Sequence, residues 1–141
     1  MAGNDREALR AYVDTSALIA FLDASDSHHA LFRRLFSQPP KLLTTTLTIN
    51  EGHAWFLRRY DGFRARQFLA FTESLPMRVL AVGPRELRAG KAFIRKYHDQ
   101  ALTVVDAVGL HVLEAQRPAA NWSTDRHLSL TGVPLVIHSE V

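Results

Sequence analysis

Cysteine is absent from the 141 residues. Disulfides and thiolate zinc sites are therefore excluded, and the composition fits the cytoplasm. Long apolar runs are absent too. None approaches the ~18 residues that a membrane span needs, so no membrane association is expected. The opening MAGNDREALR is polar and holds no apolar stretch ahead of a cleavage site, so no secretory signal is expected. Repeats, low-complexity tracts and linkers are also missing. That predicts a single domain over residues 1–141, with residues 1–8 as a polar, disordered lead. Lysine is scarce. Three lysines stand against fourteen arginines, with a net charge of +3 and a pI of about 9.7. So modest a surplus is, taken by itself, a weak pointer to nucleic acid.

What is present is an alternation of strand and helix signals. Residues 9–13 predict a short strand and 16–22 a helix. From His28 to Phe36, Leu31, Phe32, Leu35 and Phe36 share one helical face, and Pro39-Pro40 ends it. Residues 41–46 are strand-like and rich in β-branched side chains. A helix follows over 49–59, Gly62 breaks it, and 63–75 forms another. Residues 77–82 predict a strand, and Pro84 opens a helix at a favoured position. That helix runs to about His98. Residues 104–114 are helical, 121–124 a short strand and 134–138 a last strand. Strands separated by helices predict an α/β fold, a parallel sheet covered on both faces. Such sheets bind ligands at the carboxyl ends of their strands.

Four acids fall near that edge. Asp14 interrupts the apolar stretch AYVDTSALIAFLD, Glu51 follows the second strand, Asp106 opens the helix at 104, and Asp125 follows the strand at 121–124. Each has a plain structural use. Thr48-x-x-Glu51 and Thr103-x-x-Asp106 match capping boxes, and Asp14 and Asp125 suit helix starts. The set as a whole asks for more. Asp14, Glu51 and Asp125 each follow a parallel-type strand and project from one edge of the sheet. Like charges gathered there repel and raise each other's pKa. A hard divalent cation relieves that repulsion. Carboxylate oxygens without thiolate or imidazole partners suit Mg²⁺ or Mn²⁺ rather than zinc, ions typical of phosphate-ester chemistry.

The motifs Val13-Asp14-Thr15-Ser16-Ala17, Asn50-Glu51, Leu102-Thr103-Val104-Val105-Asp106-Ala107 and Ser123-Thr124-Asp125 resemble, in order, the four acidic motifs of PIN-domain ribonucleases. They are similar in particular to those of the VapC toxins of bacterial toxin–antitoxin pairs. The resemblance implies a PIN-like three-layer sandwich with a central parallel β-sheet flanked by helices. It implies an endoribonuclease dependent on Mg²⁺ or Mn²⁺, with RNA as substrate, a VapB-like antitoxin as partner, and a homodimer. Carried over by position, it implies Asp14, Glu51, Asp106 and Asp125 as the catalytic acids, with Asp14 and Asp106 as metal ligands. Thr15, Ser16 and Thr124 match the small hydroxyl residues beside them. Two features depart from the pattern: the polar lead before the first strand, and His127 where many relatives carry a further acid. The second leaves the number of metals open. Asp99 reads as an exposed loop carboxylate.

Among the arginines, Arg126 adjoins Asp125 and is the expected phosphate contact. Arg58, Arg59, Arg64, Arg66, Arg95 and Lys96 are further candidates, each also readable as a solvated helix-face charge. None of the seven histidines has zinc-type spacing, and only His29 and His127 are expected near the site. Trp55, Phe56, Phe63, Phe68 and Phe71 are expected mainly in the core, with any exposed subset left for a dimer face or an antitoxin groove.

The chemistry expected is hydrolysis of an RNA phosphodiester bond, leaving a 5′ phosphate and a 3′ hydroxyl. A phosphatase of the haloacid dehalogenase type also begins with an Asp after a strand. It usually shows a second Asp two residues on, where Ser16 stands, and a phosphate-holding lysine that is hard to place here. The remaining alternative is a non-catalytic PIN-fold RNA-binding or assembly module, against which the four acids argue.

Overall fold

A computed structural model describes residues 10–139. The lead expected at residues 1–8 lies outside the described residues. The chain runs β1 (Ala11–Val13), α1 (Thr15–Leu22), α2 (His29–Leu35), β2 (Leu42–Thr45), α3 (Thr46–Arg59), α4 (Gly62–Ser74) and β3 (Met77–Leu80). It continues through α5 (Pro84–Lys96), α6 (Val104–Gln116), β4 (Ala120–Trp122), a 3₁₀ turn at Arg126–Ser129 and α7 (Val136–Ser139). The strands are parallel and ordered β3-β2-β1-β4. This is the three-layer α/β sandwich that the alternation predicts.

The central strands β1 and β2 are buried along their whole length, and the edge strand β3 is not. Parallel strands covered on both faces read as continuous apolar runs for this reason. Strand alternation then divides the core in two. Ala11, Val13 and Leu42 pack with Leu18, Phe32, Phe56 and Phe68 of α1 to α4. Tyr12 and Leu43 pack with Phe93, Leu110, Leu113 and Leu128 of α5, α6 and the 3₁₀ turn. The first layer is aromatic: Phe21 stacks on Phe71 at 4.2 Å, and Phe36 meets Trp122 edge-on at 4.9 Å. The α3–α4 contact in that layer is close enough that a Cβ on Gly52 would stand 2.1 Å from Phe68 Cζ.

Two elements differ from the expectation. α3 begins at Thr46 rather than near Ile49, directly after β2, because the Thr45 hydroxyl accepts from the Thr48 N–H at 3.4 Å. Threonine suits a strand and a helix cap alike, and here its hydroxyl caps. The expected Thr48–Glu51 capping box is consequently not formed, since Thr48 is a buried residue of the first turn. The last expected strand, residues 134–138, is reduced to one bridge between Asn121 and Leu135. Pro134 has no N–H to donate and contributes only its carbonyl, to the Asn121 N–H at 2.9 Å. The chain then turns into α7, which buries Val136.

Candidate functional site

Strand pairing sets the first contact of the site. Val13 lies opposite Trp122 in register, so the residues that follow, Asp14 and Ser123, come side by side. The Asp14 N–H donates to the Trp122 carbonyl at 3.0 Å. Asp14 occupies the N-cap of α1, yet its side chain makes no capping bond. Its Oδ2 instead accepts from Ser16 Oγ at 2.7 Å and from Ser123 Oγ at 2.9 Å. Those two hydroxyl oxygens accept in turn from the backbone N–H groups of Thr124 at 3.0 Å and Asp125 at 2.9 Å. The turn after β1 and the turn after β4 are thus tied through one carboxylate oxygen. Asp14 is only 5% exposed. Burial pushes its carboxyl up to about 6, with the two hydroxyls opposing and the charges of Asp106 and Glu51 adding.

Asp106 sits in the first turn of α6. Its Oδ2 accepts from the Thr103 N–H at 3.2 Å, and the Thr103 hydroxyl accepts from the Asp106 N–H at 3.1 Å. The expected capping box is present here, and it engages one carboxylate oxygen while leaving the other. Burial raises the Asp106 carboxyl above its ordinary value; the Thr103 bonds oppose this and Asp125 adds to it. Asp125 caps the 3₁₀ turn, its Oδ1 accepting from the His127 N–H at 2.9 Å, with the His127 Nδ1 at 3.1 Å from the same oxygen. Asp106, Asp125 and His127 offer ligand atoms that all lie within 4.8 Å of one another. Glu51 lies half-buried in the second turn of α3, and its charge acts on Asp14 and on the Tyr12 hydroxyl. Tyr12 is raised far above its ordinary value by burial first, then by Asp14, Asp106 and Glu51.

The four expected acids therefore form one electrostatic group at the carboxyl edge of the sheet. The hydroxyls fare differently. Ser16 meets Asp14 as expected, but its companion is Ser123, which sequence reasoning passed over in favour of its neighbour. The Thr124 contact is a backbone N–H, and the Thr15 hydroxyl is buried without a hydrogen-bond partner. Arg126 is exposed beside Asp125. Arg64 has a structural occupation, donating to the Leu22 carbonyl at 2.9 Å and lying 4.5 Å over the Tyr60 ring. His29 bonds the Ala20 carbonyl at 2.7 Å, about 9 Å along α1 from Asp14, so of the two histidines only His127 joins the group. No sequence signal separates the two without knowing how the β4 turn folds back.

The donors that lie within 4.8 Å of one another are two carboxylates and one imidazole, Asp106, Asp125 and His127. Asp14, an expected ligand, is outside that group and reaches it through the Ser123 hydroxyl that also accepts from the Asp125 N–H. Hard oxygen donors fit Mg²⁺ or Mn²⁺, and acids that raise one another are relieved by a divalent charge. The residues present fit such an ion.

Comparison with known proteins adds a family. The profile of the PIN domain matches residues 11–122. No curated protein matches the sequence. Among solved structures the chain is similar to VapC20 of Mycobacterium tuberculosis, a sarcin–ricin loop cleaving toxin, with 23% identity and a TM-score of 0.79 over 87% of this chain and 95% of that one. It is also similar to PAE2754 from Pyrobaculum aerophilum, with 22% identity and a TM-score of 0.65 over 93% of each chain. A toxin–antitoxin complex from Klebsiella pneumoniae matches at 17% identity and a TM-score of 0.61, over 89% of this chain and 95% of that one. Likenesses at such identities concern the fold.

Proposed function

The chain belongs to the PIN-domain family, and on that premise we propose that it is an endoribonuclease dependent on Mg²⁺ or Mn²⁺, the VapC-like toxin of a type II toxin–antitoxin module. The observation that carries this reading is the group of Asp106, Asp125 and His127, whose ligand atoms lie within 4.8 Å of one another, with the buried Asp14 tied to it through Ser123. The toxins among the similar folds support RNA as substrate and a VapB-like antitoxin as partner. The protein then acts in the cytoplasm; among the described residues no helix is long and apolar enough to cross a membrane.

In this mechanism Asp14 and Asp106 would hold the ion, with help from Asp125 and His127. Bound there, a divalent ion supplies charge to the phosphoryl oxygen and makes water a better nucleophile. Ser16 and Ser123 fix the Asp14 carboxylate before substrate arrives, so no reorganisation is needed at the moment of reaction. Glu51 takes the proton of the attacking water. The water displaces the 3′ oxygen in line, and that oxygen takes a proton from solvent, leaving a 5′ phosphate and a 3′ hydroxyl. Arg126 steadies a phosphate oxygen, and Ser16 and Thr124 line the substrate side; Thr15, expected there too, is buried and takes no part. No attack by the 2′-hydroxyl is involved, so preference for RNA comes from shape and 2′-hydroxyl contacts. Leu57, Tyr60 and Phe63 at the α3–α4 corner are 49%, 37% and 60% exposed. We assign this apolar corner to protein contacts, whether with the antitoxin or within a homodimer.

Cleavage of total RNA by purified, antitoxin-free protein tests the reading. Discrete cuts are expected with Mg²⁺ or Mn²⁺, and none with EDTA or with Asp14→Asn. Folded protein that binds RNA and cuts none of it under any of these conditions would instead be a non-catalytic RNA-binding module.

A further inference from the structure

We propose that the solvent face of α5 is a docking track for the phosphate backbone of the strand that the acidic site cuts; the inference rests on the nuclease reading above. α5 is sharply two-faced. Gly90 and Phe93 are buried, and Leu87, Ile94 and Tyr97 are half-buried. Arg85, Arg88, Lys91 and Arg95 recur every three or four residues on the other side, all exposed, with Lys96 flanking them. At 3.6 residues per turn these four fall within an arc of roughly 120°. The one acid on the helix, Glu86, is engaged at its start, where Oε1 accepts from the Gly83 N–H at 2.8 Å. Among the described residues none of the four cations is in an ion pair.

Position is what turns a solvated face into a track. α5 is locked against α6, the helix that carries Asp106. A Cβ on Gly90 would stand 2.9 Å from Val108 Cγ2 and 3.6 Å from the Ala107 carbonyl carbon. Earlier on α5, Arg85 and Glu86 line one cavity with His111 and Val112 of α6. Rising numbers on one helix meet falling numbers on the other, so the pair is antiparallel. Lys91 and Arg95 therefore lie beside the first turn of α6, where Asp106 stands, and Arg88 and Arg85 lead away from it. From Arg85 to Arg95 the stripe is about 15 Å long. Over that rise one strand of a duplex carries about four phosphates. A second copy of the same face would set cations against cations, which argues against a homodimer here. Because the stripe ends at the Asp106 turn, a strand that continues into the site fits it better than an acidic peptide does.

The test is equilibrium binding of a labelled, unstructured 20-nucleotide RNA in EDTA, read by fluorescence anisotropy across a salt series. Wild type is compared with the fourfold variant R85Q/R88Q/K91Q/R95Q. Glutamine keeps helix propensity, and circular dichroism checks the fold. The slope of log affinity against log salt is expected to fall by about 3 in the variant, near 0.7 per lost contact. Affinity at low salt is expected to fall more than about tenfold. Cleavage of a trinucleotide, too short to span the stripe, is expected to lose less than cleavage of the 20-nucleotide RNA does. A salt slope equal to that of wild type overturns the track. So does an oligoglutamate of equal charge that displaces the RNA as well as unlabelled RNA does. If the fourfold variant fails to fold, Lys91→Gln alone must lower the slope by about 0.7. Loss of slope together with a wild type that never cuts would remove the nuclease reading and leave the track.

Discussion

The two ends of the sheet are charged oppositely and organised differently. At the carboxyl ends of β1 and β4, Asp14 is buried, held by two hydroxyls, and surrounded by further acids that resist its ionisation. At the amino ends, Arg10, Lys41 and Arg78 line a cavity of about 530 Å³ with Leu42, Leu43, Pro76 and Met77. Lys41 and Arg78 are exposed there, and Arg10 donates to the Gln116 side chain at 3.2 Å and to its carbonyl at 2.9 Å. Lys41 and Arg78 thus face solvent, and Arg10 bonds a neighbouring helix end. Asp14, Asp106 and Asp125 are hydrogen-bonded, yet burial and neighbouring like charge raise Asp14 and Asp106. Groups pushed away from their ordinary titration by burial and like charge mark sites that do chemistry, whereas solvated cations on separate elements mark ordinary surface.

The largest expected effect separates the two ends directly. Asp14→Asn or Asp106→Asn removes a carboxylate from the proposed ion site, which is worth several kcal/mol to the transition state. Single-turnover cleavage with Mn²⁺ should fall by about 10³-fold or more. The double change Lys41→Gln, Arg78→Gln should leave the rate on the same short RNA within about twofold. An equal loss from the amino-end pair would end the contrast.

A smaller effect runs in the opposite direction. In ion-free protein the Asp14 carboxyl is raised from 3.8 to about 6, so the folded state holds this proton more tightly than the unfolded one. Its stability contribution is fully present below about pH 4 and is lost as pH rises through about 6. Asp14→Asn should therefore match wild type near pH 4 and exceed it at pH 8, by an upper bound of about 3 kcal/mol. Urea melts in EDTA at the two pH values measure this. Lys41→Gln should show the same offset from wild type at both.

The acidic half of this contrast was legible in the sequence; the basic half was not. The break in AYVDTSALIAFLD places a carboxylate where a parallel strand turns into a helix, and strand–helix alternation puts every such turn at one edge. Thr103-x-x-Asp106 was readable as a capping box because both partners lie within one helical turn. Contacts that depend on the register between distant strands were not readable. Ser123 reaches Asp14 only because Val13 pairs with Trp122, and nothing local favours Ser123 over Thr124. The start of α3 was misplaced because Thr44, Thr45 and Thr46 suit a strand by shape, while the Thr45 hydroxyl ends it by capping. Residues 134–138 look like a strand by composition, yet pairing stops at Leu135 because the chain turns into α7 at Val136.

Ser123→Ala sharpens the contrast at the next scale down. The Ser123 hydroxyl donates to Asp14 and accepts from the Asp125 N–H, so its loss leaves one buried amide without an acceptor. The stability cost should be about 1–2 kcal/mol. The Asp14 carboxyl should titrate still higher, because an opposing hydrogen bond is gone. Cleavage should fall about tenfold at pH 6 and recover in part at pH 8. A pH-independent loss would mean that Ser123 only packs.

The smallest expected effect lies at the other end. Gln116→Ala removes the side-chain oxygen that Arg10 reaches at 3.2 Å and spares the carbonyl that it reaches at 2.9 Å. Arg10 is half-buried, and water can replace the lost acceptor. The change should cost less than about 0.5 kcal/mol, within the range of a surface substitution, with cleavage unaltered. The two polar deletions then differ because of what surrounds them. Ser123 is fully buried between two turns, while Gln116 stands at the end of α6 where the guanidinium keeps its better partner. A cost near 2 kcal/mol for Gln116→Ala would show that the amino end is organised as tightly as the carboxyl end, and the asymmetry of the sheet would have to be sought in charge alone.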